Sequence, residues 1–70
     1  MERQAVQSSN LKSIGYNRNS RVLEVEFNSG AIWQYDDVPE SKYESFMAAE
    51  SKGKFFLKEI RGHYHGEKVQ

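Results

Sequence analysis

Residues Leu23 to Phe27 alternate without a break: Leu23, Val25 and Phe27 are apolar, while Glu24 and Glu26 are charged. Successive side chains of a β-strand point to opposite faces, so a period of two makes a strand with one covered face and one wet face. The segment that follows, Asn28-Ser29-Gly30, decides what lies beside it. A three-residue hairpin loop commonly closes on a residue at positive φ, a place that glycine takes without steric cost. Such a loop pairs Phe27 with Ala31, Val25 with Trp33 and Leu23 with Tyr35. Trp33 and Tyr35 then join the apolar face as core aromatics. A two-residue loop would set the same apolar residues against Ile32, Gln34 and Asp36, which is a poor core. The strand after the loop is expected from Ala31 to Asp36. The open face would carry Glu24, Glu26, Gln34 and Asp36, with Val22 and Ile32 as apolar exceptions.

Weaker signals place the other elements. Leu11 to Tyr16 reads as a strand with Ile14 and Tyr16 on one face, and Asn17-Arg18-Asn19-Ser20 as the turn behind it. Residues 1–8 are polar and unpatterned, and are expected to form a flexible N-terminal arm before a single domain at 9–68. Pro39 opens a helix to about Glu50, with Asp37 and Glu40 at the spacing of a capping box. Tyr43, Phe46 and Met47 recur on one face of it. Ser51 and Gly53 break that helix and start a second, where Phe56 and Ile60 lie four apart, flanked by Phe55 and Leu57, before Gly62 stops it. The expected fold class is α+β: a three-stranded antiparallel sheet, β-β-β, followed by two helices packed on one face.

Composition bounds what such a chain does. Seventy residues make one small domain, and ten basic side chains cancel ten acidic ones, so no global field draws in nucleic acid or anionic lipid. No apolar run approaches the ~20 residues of a membrane span, and the N-terminus lacks a signal peptide's apolar stretch. A cytoplasmic protein without a membrane partner is the expectation. There is no cysteine, hence no disulfide, thiolate nucleophile or cysteine-based zinc site. Four Tyr, four Phe and one Trp supply enough apolar surface for a core. A chain this small buries only ~60% of its unfolded surface, which makes homo-oligomerisation a candidate source of stability.

Charge is segregated along the chain: residues 21–50 hold two basic against seven acidic side chains, and residues 51–70 hold five basic against two acidic. Lys54, Lys58 and Arg61 fall at i, i+4 and i+7 on the second helix, with Lys52 just ahead and Tyr64 beyond. Such a stripe would grip a phosphate backbone, Arg61 in a bidentate contact; it is equally the solvated face of a helix whose cations suit its C-terminal pole. Ser51, Gly53 and Lys54 form a second candidate, a small phosphate site with free backbone N–H groups beside lysines. His63 and His65 flank Tyr64 at a spacing that would aim two imidazoles at a metal, but a third ligand is wanting. Each serine sits in a turn or cap context, and no nucleophile–base pair is visible. No catalytic residue, metal or cofactor is therefore assigned.

The chain also resembles a known family. Ser9-Asn10 with Ile14-Gly15-Tyr16, the Leu23–Phe27 strand and Ser29-Gly30 are its first matching features. Tyr35, Val38-Pro39, Tyr43, Ser51-x-Gly53, Phe55, Ile60 and Tyr64 continue it. In order and spacing they are similar to the KTSC domain, a module at the C-terminus of some lysyl-tRNA synthetases that also occurs alone in small bacterial and phage proteins. The family's Tyr-x-Tyr reads Trp33-Gln34-Tyr35 here, which keeps the aromatic shape and loses one hydroxyl. The resemblance implies no established activity, with RNA suggested as partner by association alone; a non-enzymatic binding module is expected because no acid–base or metal constellation is visible. Three readings stay open: a polyanion or RNA binder using Lys52, Lys54, Lys58, Arg61 and Tyr64; a homo-oligomer holding a nucleotide-like phosphorylated ligand; and a protein–protein adaptor.

Overall fold

The computed structural model describes residues 1–70, and its hairpin has the expected register. Gly30 takes φ +95°, and the Phe27 N–H donates to the Ala31 carbonyl at 2.9 Å. Val25 pairs with Trp33 and Leu23 with Tyr35. On the preceding strand, one extra residue, Lys12, sits between the pairs Leu11–Phe27 and Ser13–Glu26. This bulge lets Leu11 and Ile14 reach the same face although they lie three apart. The second turn also forms where expected: Asn17 Oδ1 accepts from the Asn19 and Ser20 N–H groups at 2.9 and 3.2 Å.

The sheet has five antiparallel strands, not three. They are β1 (Arg3–Ala5), β2 (Leu11–Asn17), β3 (Val22–Phe27), β4 (Ile32–Tyr35) and β5 (Gly66–Lys68), in the spatial order β1-β2-β3-β4-β5. Between β4 and β5 come α1 (Glu40–Ala48) and α2 (Lys52–Phe55), and α2 runs on into a wide π-helical turn, Phe56–Ile60. Part of the segment expected to be a flexible arm is thus an edge strand, and the end of the chain is the other edge. Neither has an alternating apolar pattern, because neither contributes to the core. Leu11, Ile14, Leu23, Val25 and Tyr35 from the sheet meet Val38, Phe46, Phe56 and Ile60 in one buried cluster. Burying a side chain of this kind contributes about 1.5–3 kcal/mol. Tyr43 stacks on Tyr16 at 4.8 Å between ring centroids, which fixes α1 against β2.

Two local expectations fail. Asp37 does not cap α1: it adopts φ +56°, and the helix starts after an extended Pro39 with no side-chain cap. The chain must reverse at Asp36-Asp37 so that the Val38 N–H can donate to the Arg21 carbonyl at 3.0 Å, and this turns Asp37 away from the helix. The far face of the sheet is not fully wet either. Arg3 of β1 ion-pairs with Glu24, donates to Ser13 Oγ at 2.9 Å and lies 3.8 Å from Glu26. Gln34 donates to Glu24 at 2.8 Å and Ser13 to Glu26 at 2.8 Å, so Glu24 is only 6% exposed. Burial by itself would raise the Glu24 carboxyl, but the hydrogen bonds from Gln34 and Arg3 and the Arg3 charge outweigh it and hold it below its ordinary value of 4.5.

This sign sets a pH dependence. Below pH 4.5 the unfolded chain binds more protons at Glu24 than the folded one. The contribution of Glu24 is therefore complete above that pH and is lost as the pH falls through the depressed folded value. Thermal melting across acid pH should show the wild-type midpoint dropping more steeply than that of Glu24→Gln; parallel curves would remove the carboxylate from the account. Arg3→Ala, which leaves Glu24 buried beside a lost partner, should cost about 1–3 kcal/mol in urea unfolding.

Candidate ligand cleft

The wide turn that ends the second helix creates the site. The Arg61 N–H donates to the Phe56 carbonyl, five residues back, at 2.9 Å. A turn of this width lags behind α-helical rotation, so residues after it leave the line set by the 3.6-residue period. Phe56 and Ile60 stay buried, whereas Arg61 leaves the helix in extended conformation, and Gly62 at φ +82° reverses the chain toward β5. A cavity of about 640 Å³ opens between this reversal and the end of the hairpin. Trp33, Tyr35, Phe56, Arg61, Tyr64 and Gly66 are among its walls.

Aromatic rings form its floor in a graded series. Trp33 and Tyr35 stack with centroids 6.3 Å apart and an 18° interplanar angle. Phe56 meets Tyr35 edge-on at 5.6 Å and Phe27 edge-on at 5.3 Å. Tyr35 is buried, as expected of a core aromatic. Trp33 shares its face but is only half-buried, and it lines the cavity. Gly66 makes the wall possible: a Cβ there would stand 2.4 Å from Tyr35 Cε1. Burial pushes the Tyr35 phenol up, with the Arg61 charge in opposition, so the ring keeps its proton at neutral pH. Arg61 is exposed, has no ion-pair partner, and is the one charged side chain among the cavity walls.

A second, polar groove of about 370 Å³ lies alongside, with Ser51, Lys52, Gly53, Lys54 and Glu50 facing Gln7 to Asn10. Asn10, Gly53 and Leu57 line both spaces. The Ser51 hydroxyl accepts from the Lys54 N–H at 3.4 Å, and Lys52 Nζ donates to the Ala49 carbonyl at 3.0 Å. The expected basic stripe is therefore divided. Lys52 and Lys54 line the groove with Ser51 and Gly53; Arg61 and Tyr64 line the aromatic cavity; exposed Lys58 lines neither. His65 instead faces Glu67 at 3.3 Å, and the His63 backbone N–H closes the turn onto the Ile60 carbonyl. Asn10, Leu57 and Gly66 entered no candidate set. Of these only Gly66, a glycine between two polar stretches, carried a signal of close approach in the sequence.

Gly66 and Gly53 should respond oppositely to the same substitution. Gly66→Ala drives a methyl into the Tyr35 ring and should lower stability by about 1–3 kcal/mol. At Gly53 a Cβ meets nothing closer than Ser8 Oγ at 3.6 Å, so Gly53→Ala should be neutral or stabilising by up to about 1 kcal/mol through helix propensity. Equal losses in urea melts would contradict the packing described.

The model of the KTSC domain family matches residues 7–64. An uncharacterised protein of Stutzerimonas stutzeri is 45% identical over 56 residues, covering 80% of this chain and 79% of the relative. A lysine–tRNA ligase of Nostoc punctiforme is 35% identical over 63 residues, 90% of this chain but 11% of the ligase. The crystal structure of a KTSC domain protein from Yersinia pestis superposes with a TM-score of 0.96 at 42% identity, covering 99% of this chain and 97% of that one.

Proposed function

The chain belongs to the KTSC domain family, and from that premise we propose that it is a non-enzymatic binding module whose cleft holds one nucleotide unit, free or within an RNA strand. The base stacks on Trp33 and the phosphate meets Arg61. The observation that carries this reading is the presence, in one concave site, of a partly exposed tryptophan stacked on Tyr35 and an arginine without an ion-pair partner. A planar ring laid on an aromatic face gains about 1–3 kcal/mol. A guanidinium presents a rigid fork of donors that matches phosphate oxygens. The volume falls within the ~300–1,000 Å³ of ordinary small-ligand sites. The relatives named as lysine–tRNA ligases carry a similar segment inside enzymes named for an RNA, which agrees with the reading without adding to its geometry.

Trp33 is the sole tryptophan, so its fluorescence reports the site directly. Titration with adenosine 5′-monophosphate should quench it saturably, and adenosine should bind roughly tenfold or more weakly for want of the charge-assisted contact. Arg61→Ala should bring the two ligands to equal affinity. Trp33→Ala, followed by calorimetry, should weaken both by at least about fivefold. A single-stranded oligoadenylate that binds while the mononucleotide does not would place the unit within a strand. Absence of saturable quenching by the nucleotide and the oligonucleotide alike, at low salt, contradicts the proposal.

A further inference from the structure

Resting on that reading of the cleft, we propose that the adjoining polar groove holds a second phosphate, so that the module selects a ligand with two phosphates joined through a nucleoside over a mononucleotide. The two spaces adjoin: Asn10, Gly53 and Leu57 form walls of both. Gly53 lies on the boundary between them, with no side chain to obstruct a ligand that crosses it; an added methyl would touch Ser8 Oγ at 3.6 Å and Asn10 Nδ2 at 3.7 Å. A single nucleotide seated on Trp33 with its phosphate at Arg61 leaves this groove empty. A chain continuing past Gly53 enters it.

The groove's chemistry suits an anion. Lys54 is exposed and without an ion-pair partner. Lys52 is tethered to the Ala49 carbonyl with its remaining ammonium protons available. The Ser8 hydroxyl accepts from the Asn10 and Leu11 N–H groups, both at 3.3 Å, and Ser51 accepts from Lys54. A hydroxyl whose oxygen is occupied by backbone donors still has its own proton to give. Glu50 is the one carboxylate on these walls, and two lysines outweigh it. The Ser8 side is held in place because Asn28 Nδ2 donates to the Ser9 carbonyl at 2.9 Å.

The test is calorimetric titration of the full chain with adenosine 5′-monophosphate and with 5′-phosphorylated diadenylate. The wild type should prefer the diadenylate by about tenfold, the effect of one added charge-assisted contact. Lys54→Ala should abolish the preference and leave mononucleotide affinity unchanged, Lys54→Arg should restore it, and Gly53→Ala should reduce it by placing a methyl on the boundary. Mononucleotide binding with no preference for the diadenylate overturns this inference and leaves the cleft reading standing. So does an equal loss for both ligands in Lys54→Ala, which would make Lys54 a source of general field. Failure of the wild type to bind the mononucleotide overturns the cleft reading, and the second subsite with it.

Discussion

Gly30 at φ +95° closes a three-residue connection, and that connection fixes which side chains of β4 face the helices. With the register it imposes, Val25 stands against Trp33 and Leu23 against Tyr35. A slip of one residue would turn Trp33 and Tyr35 onto the opposite face and offer the helices Gln34 and Ile32 instead. The core, the aromatic floor of the cleft and the position of the one tryptophan all follow from this choice. The helices then complete what the hairpin begins. Phe56 seals the inner end of the floor edge-on, and the wide turn behind it delivers Arg61 to the mouth.

The opposite face is held by charge. Arg3 lies across β2 and β3 and satisfies Glu24, Glu26 and Ser13 together, with Gln34 closing the network from β4. No buried side-chain polar atom lacks a partner. Burying a carboxylate is tolerable only when its acceptor capacity is met in this way. The arrangement ties β1 to the sheet through polar side chains, and the chain beyond it places Ser8 and Asn10 beside Gly53. Gly15 permits the close approach, since a Cβ there would stand 2.6 Å from the Glu2 carbonyl oxygen. A mainly polar strand thus helps to shape a groove on the other side of the molecule.

Much of this was legible in the sequence, and the misses share a cause. The β3–β4 register, the Asn17 turn and the buried faces of both helices rest on apolar periodicity and turn chemistry, which are local signals. The edge strands β1 and β5 are missed because their pairing depends on backbone donors and on Arg3 finding Glu24, a contact between residues 21 apart in sequence. The capping box on Asp37 is overridden by the demand of Val38 for the Arg21 carbonyl. The basic stripe rests on an ideal helical period that the turn at Phe56–Ile60 does not keep. Sequence spacing picks out Arg61, Lys54 and Trp33 separately. Only the tertiary fold brings Trp33 and Arg61 into one cavity and sets Lys54 in the groove that shares Gly53 with it.

The cleft between the hairpin end and the second helix is the proposed place of ligand entry. The most direct measurement is the amide and indole chemical-shift map of the ¹⁵N-labelled protein during titration with 5′-phosphorylated diadenylate. The account predicts the largest shifts at the Trp33 indole N–H, Arg61, Gly62 and Gly66, with Gly53 and Lys54 following on the same binding curve. Shifts confined to β1 and the polar face, or to the outer side of α1, would contradict it.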